Sequence, residues 1–307
     1  MKYQWMPVMG KMKQTKTSSL LFKGGITKLQ GESGETEGSE VGLFICNQKF
    51  SEGTISVDLK FNGTSQNSCA DIVLFYDPQN KYTVNAGIGN VKFFSIRHFD
   101  TQWTNHAAAG ASNSIEINRT YHLEATLSGS TVTLKSDGVE VLRHTLPMFL
   151  PQSQVGLFCI DRTDIEFKNF KVQNVKPKAF VVMQFSSQYN EVYFEVIKEI
   201  CEQEKIDVLR IDEESGPGLI IQDITRAIHE SKIIIADISP VNANVFYEVG
   251  FAHALNKPTI LIAEKETKLP FDISSFRTLF YENTIGGKRK LEEGLKRHIQ
   301  AILQQKS

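Results

Sequence analysis

Two hydropathy periods divide the chain. Up to about Val175, apolar and polar residues alternate in short runs. TISVDLKFNG (Thr54 to Gly63), SIEINRTYHLEATLSG (Ser114 to Gly129) and STVTLKSDGVEVLRH (Ser130 to His144) are the clearest. Alternation with period two predicts a strand with one buried and one wet face. Asn62-Gly63, Ser128-Gly129 and Asp137-Gly138 sit between the runs, which is hairpin chemistry. Regular short strands with no helix-length segment among them predict an antiparallel β-sandwich.

The period changes near Val175. KVQNVKPKAF, with Pro177 between two lysines, reads as a connector. Beyond it, strands are expected at Ala179 to Gln184, Asp207 to Ile211, Lys232 to Asp237, Pro258 to Ile262 and Leu279 to Tyr281. Helices are expected at Gln188 to Gln203, Leu219 to Glu230 and Asn244 to Leu255. In the first, Phe194, Ile197 and Cys201 would share a face with Val196 and Ile200 beside them. A last helix carries Leu291, Leu295 and Ile299 at four-residue spacing. Continuously apolar strands separated by helices predict a parallel sheet covered on both sides. The reading is a two-domain β + α/β chain: a β-sandwich over 1–175 and a doubly wound parallel-sheet domain over 176–307.

Bulk composition narrows the classes. Lys and Arg number 34 against 35 Asp and Glu. That balance argues against general nucleic-acid binding or adhesion to an anionic membrane. No apolar run is long enough for a transmembrane helix, and the N-terminus lacks the apolar core of a signal peptide. The four cysteines, Cys46, Cys69, Cys159 and Cys201, form no CxxC pair. Reduced thiols in a cytoplasmic protein are expected, with no metal and no bound cofactor.

The densest chemistry lies in IIIADISPVNANVFYEVGFAHALNKPTILI (Ile233 to Ile262). A strand ends in Asp237, and a helix carries one carboxylate, Glu248, among apolar and small residues. Burying an uncompensated carboxylate is costly, so Glu248 is expected to face a pocket. With Asn244 as N-cap, the helix dipole favours its charge by about 0.3–1 kcal/mol. Asp237 lies where open α/β sheets bind ligands, or serves the turn before Ser239-Pro240. Asp223 sits early in its helix, where it also complements the dipole. Phe185 and Ser186 follow the first strand, and Gly216 and Gly218 lie in a Ser-Gly-Pro-Gly loop without a P-loop lysine. Tyr247 is a candidate stacking residue. His229 and His253 have no metal spacing, and no GxSxG elbow is present.

FVVMQFSSQYNEVY, QDITRAIHESKIIIADIS and NVFYEVGFAHALNKPTILI together resemble the nucleoside 2-deoxyribosyltransferase-like family, a flavodoxin-like group close in topology to TIR domains. The resemblance covers about 130 residues, the size of one domain. It implies cleavage of an N-glycosidic bond, with Glu248 as nucleophile or cation stabiliser and Asp223 as a partner carboxylate. It also implies a nucleoside, nucleotide or NAD-type substrate held by Phe185, Ser186, Gly216, Gly218, Asn242, Asn244 and Tyr247, with Asp237 nearby. The chain departs from the family at the turn before the helix: Asn242 or Asn244 stands where the family carries an acid, and an amide is neither base nor proton donor. A non-catalytic nucleotide sensor using the same pocket is the rival reading.

VGLFICNQKFSEGTISVDLKFNG, YTVNAGIG and QVGLFCIDRTDIEFKNFKV resemble a concanavalin-like, laminin-G-type jelly roll, over about Leu43 to Val172. That resemblance implies a module for regulation, assembly, a homo-oligomer contact, or a glycan or protein partner. Trp103, Tyr82, Arg97 and His98 are the candidate residues of a concave sugar-binding face.

Overall fold

The computed structural model describes residues 3–31, 34–89, 91–111, 113–213 and 219–304. The chain divides into two compact units. The first comprises 1–127, 131–145 and 152–175; the second comprises 176–307 together with 128–130 and 146–151.

The first unit is built from fifteen strands. They are β1 (Trp5–Met9), β2 (Lys11–Lys16), β3 (Ser19–Lys23), β4 (Ile26–Gly31), β5 (Gly34–Phe50), β6 (Gly53–Phe61), β7 (Cys69–Asp77) and β8 (Tyr82–Gly89). There follow β9 (Phe94–Phe99), β10 (Trp103–Ala109), β11 (Thr120–Ser128), β12 (Thr131–Ser136), β13 (Val139–Thr145), β14 (Ser153–Asp161) and β15 (Ile165–Asn174). One sheet runs β1-β5-β14-β7-β8-β9-β10, with β4 paired to β5; the other runs β13-β12-β11-β6-β15-β3-β2. Every pairing given for them is antiparallel.

Period two places the core. In β6, Ile55, Val57, Leu59 and Phe61 point inward and are at most 1% exposed, with polar residues between them. Tyr121, Leu123, Ala125 and Leu127 of β11 also point inward and are at most 2% exposed. From the facing sheet come Phe44, Ile72, Ala86 and Leu157, all fully buried. Phe22 and Phe44 meet across the interior with ring centroids 6.1 Å apart. This is a jelly-roll-like β-sandwich.

The second unit holds a five-stranded parallel sheet. Its strands are β16 (Lys178–Val182), β17 (Asp207–Arg210), β18 (Ile233–Asp237), β19 (Thr259–Glu264) and β20 (Thr278–Tyr281), in the order β17-β16-β18-β19-β20. Counted within the unit that order is 2-1-3-4-5, one of the two common doubly wound orders. Its helices are α1 (Ser187–Val192), α2 (Lys198–Gln203), α3 (Ile220–Glu230), α4 (Ala243–Ala254), α5 (Phe271–Ser274) and α6 (Ile285–Gln304). Two separate apolar clusters cover the sheet. One gathers Tyr193, Ile197, Cys201 and the α6 residues Leu291, Leu295 and Ile299. The other gathers Ile224 and Ile228 of α3 with Val245, Val249 and Ala252 of α4. A sheet covered on both faces explains why the middles of its central strands are continuously apolar.

Two expectations need correction. The helix expected over Gln188 to Gln203 is interrupted by a π-helical stretch, Tyr193–Ile197. The extra residue in that turn shifts the helical phase. Tyr193 is consequently buried with Val196, Ile197, Ile200 and Cys201, and Phe194 turns out to 47% exposure. The N-cap of α4 is Asn242 and not Asn244: the Asn242 side chain accepts from the Asn244 amide at 2.9 Å. An asparagine oxygen there satisfies an amide that the helix leaves free.

All four cysteines are buried free thiols. Burial pushes Cys46 up to about 11, and Cys69 and Cys201 up to about 12. The thiolate is the reactive species. The folded protein at pH 8 should therefore react with iodoacetamide at least about a hundredfold more slowly than the denatured chain. Mass spectrometry of labelled peptides checks this; rapid native labelling of any of the four would contradict the packing.

Candidate functional site

Strand β7, CADIVLFYD, is buried on both faces. Ala70 and Ile72 belong to the sandwich interior, so alternation sends Cys69, Asp71 and Val73 to the other face of the sheet. There Leu43, Ile45, Cys69, Val73 and Phe158 form a second apolar cluster, with Val41, Tyr76, Trp103 and Ile160 packed against it. Polar side chains are set into this apolar face. Asp71 is 1% exposed and Asn85 0%.

Arg97 of β9 compensates the carboxylate. Its Nε and Nη2 donate to Asp71 Oδ2 at 3.1 and 2.7 Å, and Asn85 Nδ2 approaches the same oxygen at 3.4 Å. On the intervening β8, Asn85 stands opposite Arg97 and Gly87 opposite Asp71 in the ladder. A Cβ on Gly87 would lie 2.5 Å from Asp71 Oδ1 and 2.3 Å from the Ala70 carbonyl. Glycine is thus what leaves room for the Asp71 side chain. Asp71 Oδ1 and Asn85 Oδ1 are buried without a hydrogen-bond partner among the described residues. Burial drives the Asp71 carboxyl up, and Arg97 draws it back only in part. Burial draws Arg97 down, but the Asp71 charge and hydrogen bonds outweigh it and the guanidinium is held upward.

The Arg97 guanidinium carbon lies 4.3 Å from the centroid of the Trp103 ring. Phe99 and Phe158 flank the same indole at 5.1 and 5.0 Å. Above this group opens a cavity of about 440 Å³ whose walls include Trp103, Arg97, Asn105, Lys92, Asn67 and Ser39. Its volume falls in the range of small-molecule sites, about 300–1,000 Å³. Among the described residues no Asp or Glu lines it. Trp103 and Arg97 were expected on such a face; Tyr82 and His98 do not line the cavity. Those two meet each other, 5.2 Å apart, beside His106, whose Nε2 lies 2.8 Å from His98 Nδ1. Among the described residues no group of three or more His, Cys, Asp or Glu is placed to hold a metal ion.

The residues singled out in the α/β unit are dispersed among structural roles. Asp237 is fully buried; its Oδ2 accepts from Tyr281 Oη at 2.8 Å and its Oδ1 from the Ser239 amide at 2.9 Å. Burial pushes it up to about 6 against those hydrogen bonds. Asp223 is paired with Arg226 at 2.7 Å on the surface of α3. Glu248 is half-buried on α4 with no hydrogen-bond or ion-pair partner among the described residues, and desolvation alone pushes it up to about 7. Ser186 precedes α1 without a side-chain capping bond. Phe185 is half exposed, 5.4 Å from the Arg97-like buried guanidinium of Arg210. Asn242 donates to Gln184 Oε1 at 3.2 Å, while Asn244 and Tyr247 are exposed. Gly216 and Gly218 lie outside the described residues.

Comparison with family models and with curated proteins returned no match. Among solved structures, the chain is similar to the carbohydrate binding module CBM66 from Bacillus subtilis, at 17% identity and a TM-score of 0.41, over 54% of this chain and 92% of that one. It is similar to porphyranase B from Zobellia galactanivorans at 10% identity and a TM-score of 0.37, over 55% of this chain and 85% of that one. A β-glucanase of Bacillus licheniformis aligns at 8% identity and a TM-score of 0.37, over 55% of this chain and 92% of that one. The fold assignment rests on the strand orders and registers above.

The expectation of an N-glycosidic-bond-cleaving enzyme is corrected. Two clefts on the α/β unit hold only about 70 and 30 Å³, and Glu248, Asp223 and Asp237 line neither. A carboxylate meant to stabilise an oxocarbenium-like state must be ionised. Desolvation pushes Glu248 up to about 7, and among the described residues no donor stands beside it to favour the ionised form.

Proposed function

We propose that the β-sandwich unit binds a glycan in the cavity beside Trp103. The observation that carries the reading is the cavity itself: about 440 Å³, walled by one indole, one guanidinium, and the side chains of Asn67, Asn105 and Ser39. Saccharides present apolar C–H patches between hydroxyls that donate and accept. Such a ligand is matched by a mainly apolar concave site with a few fixed polar groups. The rigid Asp71–Arg97 pair beneath the indole supports the same reading, because it holds Arg97 in one orientation before any ligand arrives. The reading is binding and not hydrolysis. Glycoside cleavage uses two carboxyl groups across the scissile bond, and among the described residues the cavity wall carries none.

For the second unit, the 2-1-3-4-5 strand order and the motif around Glu248 support a flavodoxin-like relationship, to which no activity is attached. The division at about residue 175 is taken as the domain boundary.

The test is a glycan array probed with the full chain, followed by titration of the hits. Trp103→Phe and Asn105→Ala should each weaken binding by at least about tenfold, with the unfolding transition of each variant recorded alongside. Unchanged affinity in both folded variants would remove this cavity from consideration.

A further inference from the structure

The charges around the cavity are unequal. Arg97 is matched by Asp71 through two hydrogen bonds to one oxygen. Lys92 also lines the cavity. It is exposed and has no ion-pair partner among the described residues. Among the described residues no carboxylate lines the cavity to oppose it. The lining amides of Asn67 and Asn105 and the hydroxyls of Ser39, Ser68 and Ser95 are neutral. A neutral sugar would leave the Lys92 charge unanswered. An anionic group on the sugar would answer it, and would also lie near the guanidinium of Arg97.

Resting on the glycan-binding reading, we propose that the ligand is an acidic saccharide whose carboxylate or sulfate group is recognised by Lys92 and Arg97 over the Trp103 wall. Both anions share the chemistry that recognises them: planar or tetrahedral oxygens that accept charge-assisted hydrogen bonds from an ammonium and a guanidinium. Asp71 acts here as a positioning residue. It takes up Nε and Nη2 of Arg97, which fixes the plane in which the guanidinium can donate.

The experiment uses the full chain and matched oligosaccharide pairs, measured by calorimetry at low and high salt. Oligogalacturonate is paired with its methyl ester, and heparan-type oligomers are paired with their desulfated forms. The anionic member of at least one pair should bind about tenfold tighter than its neutral counterpart at low salt. The difference should shrink as salt is raised. Lys92→Gln, a change at an exposed residue, should remove most of that preference. The carboxylate and sulfate arms identify which anion is read. Equal binding of both members of each pair would overturn the acidic-sugar inference and leave glycan binding standing. A full preference surviving in Lys92→Gln would overturn the role given to Lys92. Binding of no oligosaccharide, charged or neutral, here or on the array would overturn both readings together.

Discussion

Asp71→Ala should lower the stability of the β-sandwich unit by about 3 kcal/mol. The Coulomb attraction lost is only part of that effect. Asp71 is 1% exposed and its partner Arg97 has a side chain 17% exposed, so deletion leaves a guanidinium in an apolar setting with two donors unmatched. Removing one partner of a buried pair costs more than the pair contributes, whereas replacing both by apolar groups is often neutral. The double variant Asp71→Leu/Arg97→Met should therefore recover most of the loss. Both tryptophans, Trp5 and Trp103, lie in this unit. Denaturant unfolding followed by tryptophan fluorescence thus reports this unit selectively. The single variant should lose glycan affinity as well, because Arg97 is released from its fixed plane; the double variant should regain stability without regaining affinity. A single variant as stable as the parent would mean that Asp71 and Arg97 are not paired in solution.

That pair also marks the limit of what the sequence makes legible. Alternation in TISVDLKF places Ile55, Val57, Leu59 and Phe61 inward because one face of β6 is wet, and the burial pattern follows it residue by residue. CADIVLFYD has no wet face, so its period carries no information about which residues face the cavity. Asp71 then reads as a blemish in an apolar strand. Its partner lies 26 residues away and two strands over, a relation fixed by register and hidden from local pattern. The aromatic and cationic character of Trp103 and Arg97 could be noticed in the sequence. Lys92, Asn67 and Asn105 could not, since each is an ordinary loop or edge residue until the ladder brings it to the same rim.

Other differences have equally local causes. The alternation read from Ser114 onward begins as a strand only at Thr120, because Asn113 and Asn118 adopt left-handed backbone with φ of 61° and 66°. Asparagine tolerates that conformation better than most residues. Strand β2, KMKQTK, lies at a sheet edge with nearly every side chain exposed. An edge strand needs no apolar period, and charged residues there discourage further pairing. In the α/β unit the strands and most helices were legible, since both faces of the sheet demand apolar residues. The residues of its candidate site were not, because a carboxylate reads the same in sequence whether it faces a ligand, an arginine or a tyrosine.

Glu248→Gln should make the α/β unit more stable at pH 9, by about 2 kcal/mol once the shift is discounted for partial solvent screening, and leave it nearly unchanged at about pH 4. The sign follows from the direction of the shift. Desolvation pushes the folded-state carboxyl from 4.5 up to about 7, so folding favours the protonated form. The stability attached to that preference is fully present below the unfolded value and is lost as pH rises through about 7. Glutamine keeps the shape and never ionises, so it escapes the loss. Asp237, pushed up to about 6, adds a similar decline in the parent protein, and it is common to both proteins being compared. His229 and His253, which burial holds below the ordinary histidine value, act in the opposite sense, withdrawing stability as pH falls, and they too cancel in the comparison. Among the described residues all the α-helices lie in this unit, so thermal unfolding followed at 222 nm by circular dichroism isolates it from the sandwich. A Glu248→Gln midpoint that tracks the parent at every pH would show that this carboxylate is solvated, and that α4 presents it to water instead of to the apolar surface beside it.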